Sequence, residues 1–305
     1  MNYVDMSEML KKALKNNYAV PAFNIYNLET AQAVLNVCSK LNKDVILAVS
    51  ESAAKYAGGF HVLCNIVNSL KTNSNINIAL HLDHGSCFEA CKNAIDAGFS
   101  SVMIDASNLP FDKNIEVTKQ VVEYAKKQTR KISVEAELGE LVGVEDDKFG
   151  NEQVFTSPEK AKEFVEKTNI DCLAVSIGTS HGINKGVGIP KIRFDIVEQI
   201  QNLLPNTPLV CHGASMVRQE IVSSINNVGG KLKQAQGIDT TDIHNLAINT
   251  NICKINMDTD LRLAFTLGTR SHMQSKPEDY DPRKYLSTAK QEMEKQVEFA
   301  IKLLN

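Results

Sequence analysis

The 305-residue chain is 43% hydrophobic and 23% charged, with a formal net charge of -3 at pH 7. That balance excludes a general nucleic-acid binder, which carries a basic surplus, and no apolar run approaches the roughly 20 residues of a membrane span. The start Met-Asn-Tyr-Val-Asp-Met-Ser-Glu-Met has neither the basic opening nor the apolar core of a secretory signal. The seven cysteines, scattered without a Cys-x-x-Cys pair, read as reduced packing residues, so a cytoplasmic protein with no membrane or nucleic-acid partner is expected.

Eight strand-like runs alternate with helical periods. The first, 18–24, ends on Asn24 and is followed by Ala31, Val34, Leu35 and Cys38 at helical spacing. The second, 44–49, leads into Ser50; the third, 76–83, closes with His81-Leu-Asp-His-Gly85; the fourth, 100–105, ends on Asp105. After a helical period at Val117, Val121 and Tyr124, the fifth run, 131–137, carries Glu135 and Glu137. A polar, acid- and glycine-rich loop, 139–153, follows and contains Glu145. Ala161, Phe164 and Val165 then mark a helix before the sixth run, 171–177, which leads into Ser180-His-Gly182. The seventh, 208–211, precedes His212-Gly-Ala-Ser215, and the eighth, 253–257, contains Asn256 and runs into Asp258 and Thr259. An extension from about residue 271 holds a helix expected over 285–304.

Eight strand–helix repeats without a linker or low-complexity break predict one (β/α)8 TIM barrel domain, 1–305, with a C-terminal helical extension. Active sites of that fold gather at the C-terminal ends of the strands, where His84, His181 and His212 stand together with Asn24, Ser50, Asp83, Asp105, Glu137 and Asn256-Met-Asp-Thr-Asp260. A loop as long as 139–153 in such a barrel is expected to act as a lid over the site.

His84, His181 and His212 share one pattern: an apolar strand, the histidine, then glycine. Three imidazoles on separate strand ends can converge on one metal and leave a fourth position open, the arrangement of catalytic zinc. His61, His244 and His272 lack this context and read as packing residues. Asp83 and His84 are neighbours and would face opposite sides of a regular strand, so sharing a pocket requires a departure from β geometry, which Gly85 permits. Asp83 reads equally as a carboxylate orienting a metal ligand or as a general acid/base. Glu135 and Glu137 alternate and therefore share a face; inward, such a pair needs a metal, lysine or substrate partner. The segments Gly213-Ala-Ser215 and Asn256-Met-Asp-Thr259, with Gly182 and Lys185, lie where barrels build phosphate sites from backbone N–H groups.

With these residues in place, the chain resembles the class II, metal-dependent ketose-bisphosphate aldolases over essentially its full length, most of all the fructose-1,6-bisphosphate members. The resemblance is carried by Pro21-Ala-Phe-Asn24, His81-Leu-Asp-His-Gly85, Val102-Met-Ile-Asp-Ala-Ser107, Val134-Glu-Ala-Glu-Leu-Gly139, Ala174-Val-Ser-Ile-Gly-Thr-Ser-His-Gly182, His212-Gly-Ala-Ser215, Lys254-Ile-Asn-Met-Asp-Thr-Asp260 and Asp281-Pro-Arg-Lys-Tyr285. It implies reversible cleavage of fructose 1,6-bisphosphate to dihydroxyacetone phosphate and glyceraldehyde 3-phosphate through a zinc-stabilised enediolate, a step of glycolysis and gluconeogenesis.

The resemblance further implies that His84, His181 and His212 bind zinc and that Glu137 belongs to the metal's surroundings. Asp105 fits a second or transient metal position as well as a structural strand-end role. Asp83 would be the acid/base at the aldehyde-derived oxygen, and Glu145 the base at the dihydroxyacetone phosphate carbon. Gly182, Lys185, Gly213, Ser215, Asn256, Asp258 and Thr259 would hold the ketose-end phosphate and hydroxyls, with Asn24, Ser50 and Arg283 nearer the other end. A monovalent cation, Na+ or K+, is implied beside the phosphate, as is a homodimer or homotetramer in which Arg283 reaches a neighbouring subunit's site. Two alternatives stand beside this reading. A tagatose-1,6-bisphosphate aldolase shares fold, metal and mechanism. A non-catalytic phosphosugar-binding or interaction protein would have lost its acid/base residues, whereas Asp83 and Glu145 are both present.

Overall fold

Strands buried on both faces read as continuous apolar runs, and eight of them form where the alternating pattern places them. The structure, a computed structural model, describes residues 3–70, 76–145, 148–150, 154–183, 191–233 and 235–305, with the backbone path alone for 142–145 and 148–150. In chain order the strands are β1 Val20–Asn24, β2 Val45–Ser50, β3 Ile78–Gly85, β4 Ser101–Ile104, β5 Ser133–Leu138, β6 Val142–Glu145, β7 Lys148–Gly150, β8 Cys172–Val175, β9 Ser180–His181, β10 Leu209–Cys211 and β11 Ile252–Met257. Eight of them close into a barrel in the order β1-β11-β10-β8-β5-β4-β3-β2, every pairing parallel. Together with the helices that connect them, this is a (β/α)8 TIM barrel.

The register sorts the barrel interior into two layers. Val20, Ala22, Ile46, Ala79, Met103, Cys172, Ala174 and Val210 form an apolar lower layer. The helix Met6–Asn16 closes it from below, contributing Met6, Met9, Leu10 and Ala13 from one face at three- and four-residue spacing. Further along the barrel strands, the inward positions become Asn24, His81, Asp83, Glu135, Glu137, Lys254 and Asn256, all buried. The outward faces, among them Phe23, Leu47, Val49, Leu80, Leu82, Val102, Ile104 and Leu173, pack beneath the surrounding helices. Each such side chain contributes about 1.5–3 kcal/mol by leaving water, so the apolar shell can carry a polar centre.

The connection after β5 has structure of its own. β6 and β7 pair as a hairpin with Val144 opposite Phe149, and β6 runs parallel to β9, placing Gly143 beside His181. At the C-terminal end, the helix Thr259–Ser275 passes through residue 271, where the extension was expected to begin. The extension proper is the helix Pro282–Leu304, longer at its start than expected because Asp281 caps it and accepts the Arg283 N–H at 3.0 Å. Its buried stripe, Ala289, Met293, Val297, Ala300, Ile301 and Leu304, packs against the helices Leu28–Leu41 and Thr259–Ser275. Among the described residues no helix is long and apolar enough to cross a membrane.

Candidate active site

An extra residue in β3 brings two adjacent side chains into one pocket. Leu82 pairs with Val102 and Gly85 with Ile104, so three steps of β3 stand against two of β4. His84 itself absorbs the irregularity, at φ +50 in the left-handed region. Gly85, the residue whose backbone freedom would be expected to permit that departure, meets a different requirement. A Cβ there would lie 2.7 Å from the Met103 carbonyl oxygen, so β4 packs against bare backbone.

His181 stands on β9, and His212 directly follows β10. Gly213 then turns at φ +63, and a Cβ on it would lie 2.6 Å from the Ser180 carbonyl oxygen, so the two histidine-bearing segments touch through their backbones. The three imidazoles converge as the sequence predicts. Ring centroids are 5.0 Å apart for His84 and His181, 4.4 Å for His84 and His212, and 6.4 Å for His181 and His212.

Carboxylates hold the far nitrogens of two of these rings. Asp105 Oδ2 lies 2.7 Å from His84 Nδ1, and Glu135 Oε1 lies 2.8 Å from His212 Nε2. The near nitrogens, His84 Nε2 and His212 Nδ1, are buried without a hydrogen-bond partner, as is Glu137 Oε2. Burial first, then the neighbouring His84 and Lys254, holds the His212 pKa well below the usual histidine range, so this ring is neutral and offers a lone pair. An unmet buried polar atom costs about 1–3 kcal/mol, and a cation coordinated by these atoms removes that cost.

The charge balance points the same way. Among the described residues, Asp83, Asp105, Glu135 and Glu137 share the barrel mouth with one buried lysine, Lys254. Burial, reinforced by Glu135 and Asp83 and opposed by the adjacent His84, pushes the Glu137 carboxyl up to about 7. Ligand atoms of Asp83, His84 and His212 lie within 4.8 Å of one another, as do those of His84, Asp105 and Glu137. The donor set therefore fits a divalent metal.

Asp83 has a separate job. Asn24 Nδ2 donates to its Oδ2 at 2.8 Å and Asn256 Nδ2 to its Oδ1 at 2.9 Å, while His212 Nδ1 stands 3.8 Å away. The carboxylates that orient imidazoles are Asp105 and Glu135, and Asp83 is held by two amides. Asn24 and Asn256, expected from the resemblance as substrate contacts, thus grip Asp83; their Oδ1 atoms stay buried without a protein partner and can accept from a substrate hydroxyl.

Other expected residues are placed less centrally. Ser50 pairs in register with Asp83, and its Oγ accepts the Ala53 N–H at 3.2 Å to cap the helix Glu51–Ala57. Gly182 follows His181, and Gly213 and buried Ser215 follow His212. Asp258 binds the Arg262 guanidinium at 2.9 and 2.7 Å, and Thr259 begins the helix Thr259–Ser275. Glu145 lies on β6 opposite Lys148, its side chain outside the described residues, as is the whole of Lys185. Arg283 is not brought to the three histidines: its side chain is 89% exposed and forks onto Asp281.

Two residues escaped the sequence reading as parts of the site. Lys254, fully buried, bonds both oxygens of Glu135 at 2.8 and 3.0 Å. A lysine inside the apolar run Ile252-Cys-Lys-Ile255 was the available signal, since a buried ammonium demands partners. Asp260 accepts the Met216 and Val217 N–H groups at 2.8 Å each and pins the turn after Ser215, where Val217 sits at φ +47. Nothing in local spacing marked it.

Comparison with known proteins agrees with this geometry. Residues 4–305 match the family model described as class-II fructose-bisphosphate aldolase. The chain is 41% identical to the fructose-bisphosphate aldolase of Treponema pallidum over 97% of its own length and 93% of the relative's. It is 45% identical to that of Geobacillus stearothermophilus, covering 94% and 91%. The crystal structure of the YdjI aldolase from Escherichia coli K12 superposes with a TM-score of 0.79 at 26% identity, covering 100% of this chain and 98% of that one.

Proposed function

The chain belongs to the class II fructose-bisphosphate aldolase family, metal-dependent lyases of phosphosugars, and from that premise we propose that it cleaves and re-forms fructose 1,6-bisphosphate with zinc held by His84, His181 and His212. The observation that carries this reading is the pair of buried nitrogens, His84 Nε2 and His212 Nδ1, which have no hydrogen-bond partner while carboxylates hold their far sides. Glu137 completes the surroundings of the metal. Bound there, zinc supplies a positive charge that draws electron density from the substrate carbonyl.

The residues of the chain then divide the proton transfers. Asp83, fixed by Asn24 and Asn256, accepts the hydroxyl proton of the carbon that becomes the aldehyde as the carbon–carbon bond breaks, and returns it in condensation. Glu145 delivers a proton to the carbon on the ketose side, completing dihydroxyacetone phosphate. β6, which carries Glu145, is paired to the strand that bears His181, so the base rides on a segment tied to the site.

Gly182, Lys185, Gly213, Ser215, Asp258 and Thr259 hold the ketose-end phosphate and its hydroxyls, with Na+ or K+ beside them. Ser50 serves the aldehyde end together with Arg283 from the partner of a homodimer or homotetramer. The working unit is one barrel domain with its C-terminal helix. The seven free cysteines support a cytoplasmic setting.

The test is metal analysis with activity on two sugars. Purified protein should contain about one zinc per chain and lose cleavage to chelators, and it should prefer fructose 1,6-bisphosphate to tagatose 1,6-bisphosphate in the same preparation. Full cleavage by metal-free protein would overturn the metal assignment, and a preference for the tagatose isomer the substrate assignment.

A further inference from the structure

Lys254 is an inward residue of β11, completely buried, with three acceptors around its ammonium: Glu135 Oε2 at 2.8 Å, Glu135 Oε1 at 3.0 Å and His81 Nε2 at 3.3 Å. An ammonium donates and cannot accept. The positions of the protons in the whole cluster follow from that single fact. His81 must present a lone pair at Nε2 and carry its proton on Nδ1, which donates to Ser101 Oγ at 2.7 Å. Glu135 takes Lys254 on both oxygens, and its Oε1 also accepts from His212 Nε2 at 2.8 Å. His212 therefore carries its proton on Nε2, and its lone pair at Nδ1 faces the pocket it shares with Asp83 and His84.

We infer that Lys254 is a positioning residue: through Glu135 it sets the tautomer and ring orientation of His212, and with them the atom that His212 presents to a metal. This rests on the reading of His212 as a metal ligand. Lys254 is occupied on all three N–H bonds and shielded from the pocket, so it acts through Glu135 and not on substrate. Glu135 without the lysine to hold both its oxygens could rotate, which lets His212 shift its own proton to Nδ1 and turn the lone pair away. His84 supplies an internal control, since the carboxylate on its Nδ1 is that of Asp105 and not Glu135.

The experiment reads histidine tautomers by nitrogen-15 NMR in the full-length protein, loaded with zinc and after zinc removal. In the wild type stripped of zinc, His212 should carry its proton on Nε2, and His81 and His84 on Nδ1. Lys254→Met should give mixed tautomers at His212, leave His84 unchanged, and lower zinc affinity about 10- to 100-fold in a chelator competition. Because Lys254→Met leaves a carboxylate buried without its cation and can prevent folding, the neutral double variant Lys254→Met/Glu135→Gln is the second arm. It should fold and show the same mixing and the same loss of affinity. A wild-type His212 protonated on Nδ1 would overturn the inference. So would a folded variant that keeps the wild-type tautomer and binds zinc within about twofold of wild type. His212→Ala retaining full zinc content would instead defeat the ligand reading and leave the tautomer result standing.

Discussion

Asp105 Oδ2 lies 2.7 Å from His84 Nδ1, and the other oxygen of the same carboxylate accepts the Ser107 N–H at 3.2 Å and its hydroxyl at 2.7 Å. Anchored from both sides, Asp105 fixes which nitrogen of His84 faces the pocket. Asp105→Ala should therefore weaken zinc binding about 10- to 100-fold without abolishing it, measured by competition with a chromophoric chelator. His84→Ala, which removes a ligand outright, should leave the purified protein without zinc. Equal loss in the two variants would make Asp105 a direct ligand.

Asp83 and Glu145 should separate kinetically. If Asp83 handles the oxygen proton and Glu145 the carbon proton, Asp83→Ala lowers bisphosphate cleavage by about 10²–10⁴ while hydrogen exchange at dihydroxyacetone phosphate persists. Glu145→Ala should lose both reactions. The check is tritium or deuterium exchange run beside the cleavage assay, and equal loss of exchange in both variants would contradict the division.

Asp260 holds two buried main-chain N–H groups at the turn after Ser215. Asp260→Ala leaves both unmet at about 1–3 kcal/mol each, so the unfolding midpoint in urea should fall clearly. Because that turn carries Gly213 and Ser215, KM for dihydroxyacetone phosphate exchange should also rise, with zinc content unchanged. Unaltered stability would show that water replaces the carboxylate without cost.

Arg283 is exposed on the single chain and, among the described residues, pairs with Asp281, a surface ion pair that water and salt screen. In an oligomer whose partner site it completes, Arg283→Ala should raise KM for the bisphosphate and leave zinc content and dihydroxyacetone phosphate exchange intact. Unchanged bisphosphate kinetics would return it to the class of solvated charges.

Much of the fold was legible because it is local. All eight barrel strands overlap the runs read from apolar and β-branched residues, but β2, β3 and β5 extend one or two residues past the expected ends, β11 starts one residue early, and positions such as Tyr18, Asn77 and Lys131 stand outside the ladder. The convergence of His84, His181 and His212 was legible too, because a parallel barrel delivers every strand's C-terminal end to one face. Less was legible after β5, where the acidic composition concealed the short strand Val142-Gly-Val-Glu145, which pairs as β6.

By itself, then, the sequence determined the barrel, the strand ends and the identity of the residues gathered there, since periods of two and of about 3.6 residues and the glycines after each histidine act within a few positions. Only the tertiary structure decided which groups share protons. Glu135 meets Lys254 across 119 residues and His212 across 77, and Asn24 and Asn256 close on Asp83 from strands on either side of the barrel seam. Hydrogen bonds act over about 3 Å and require specific angles, and spacing along a chain carries no information at that scale about partners brought together by closure of the barrel. The same holds for His84, whose left-handed backbone exists because β3 must fit one residue more than β4 between shared hydrogen bonds.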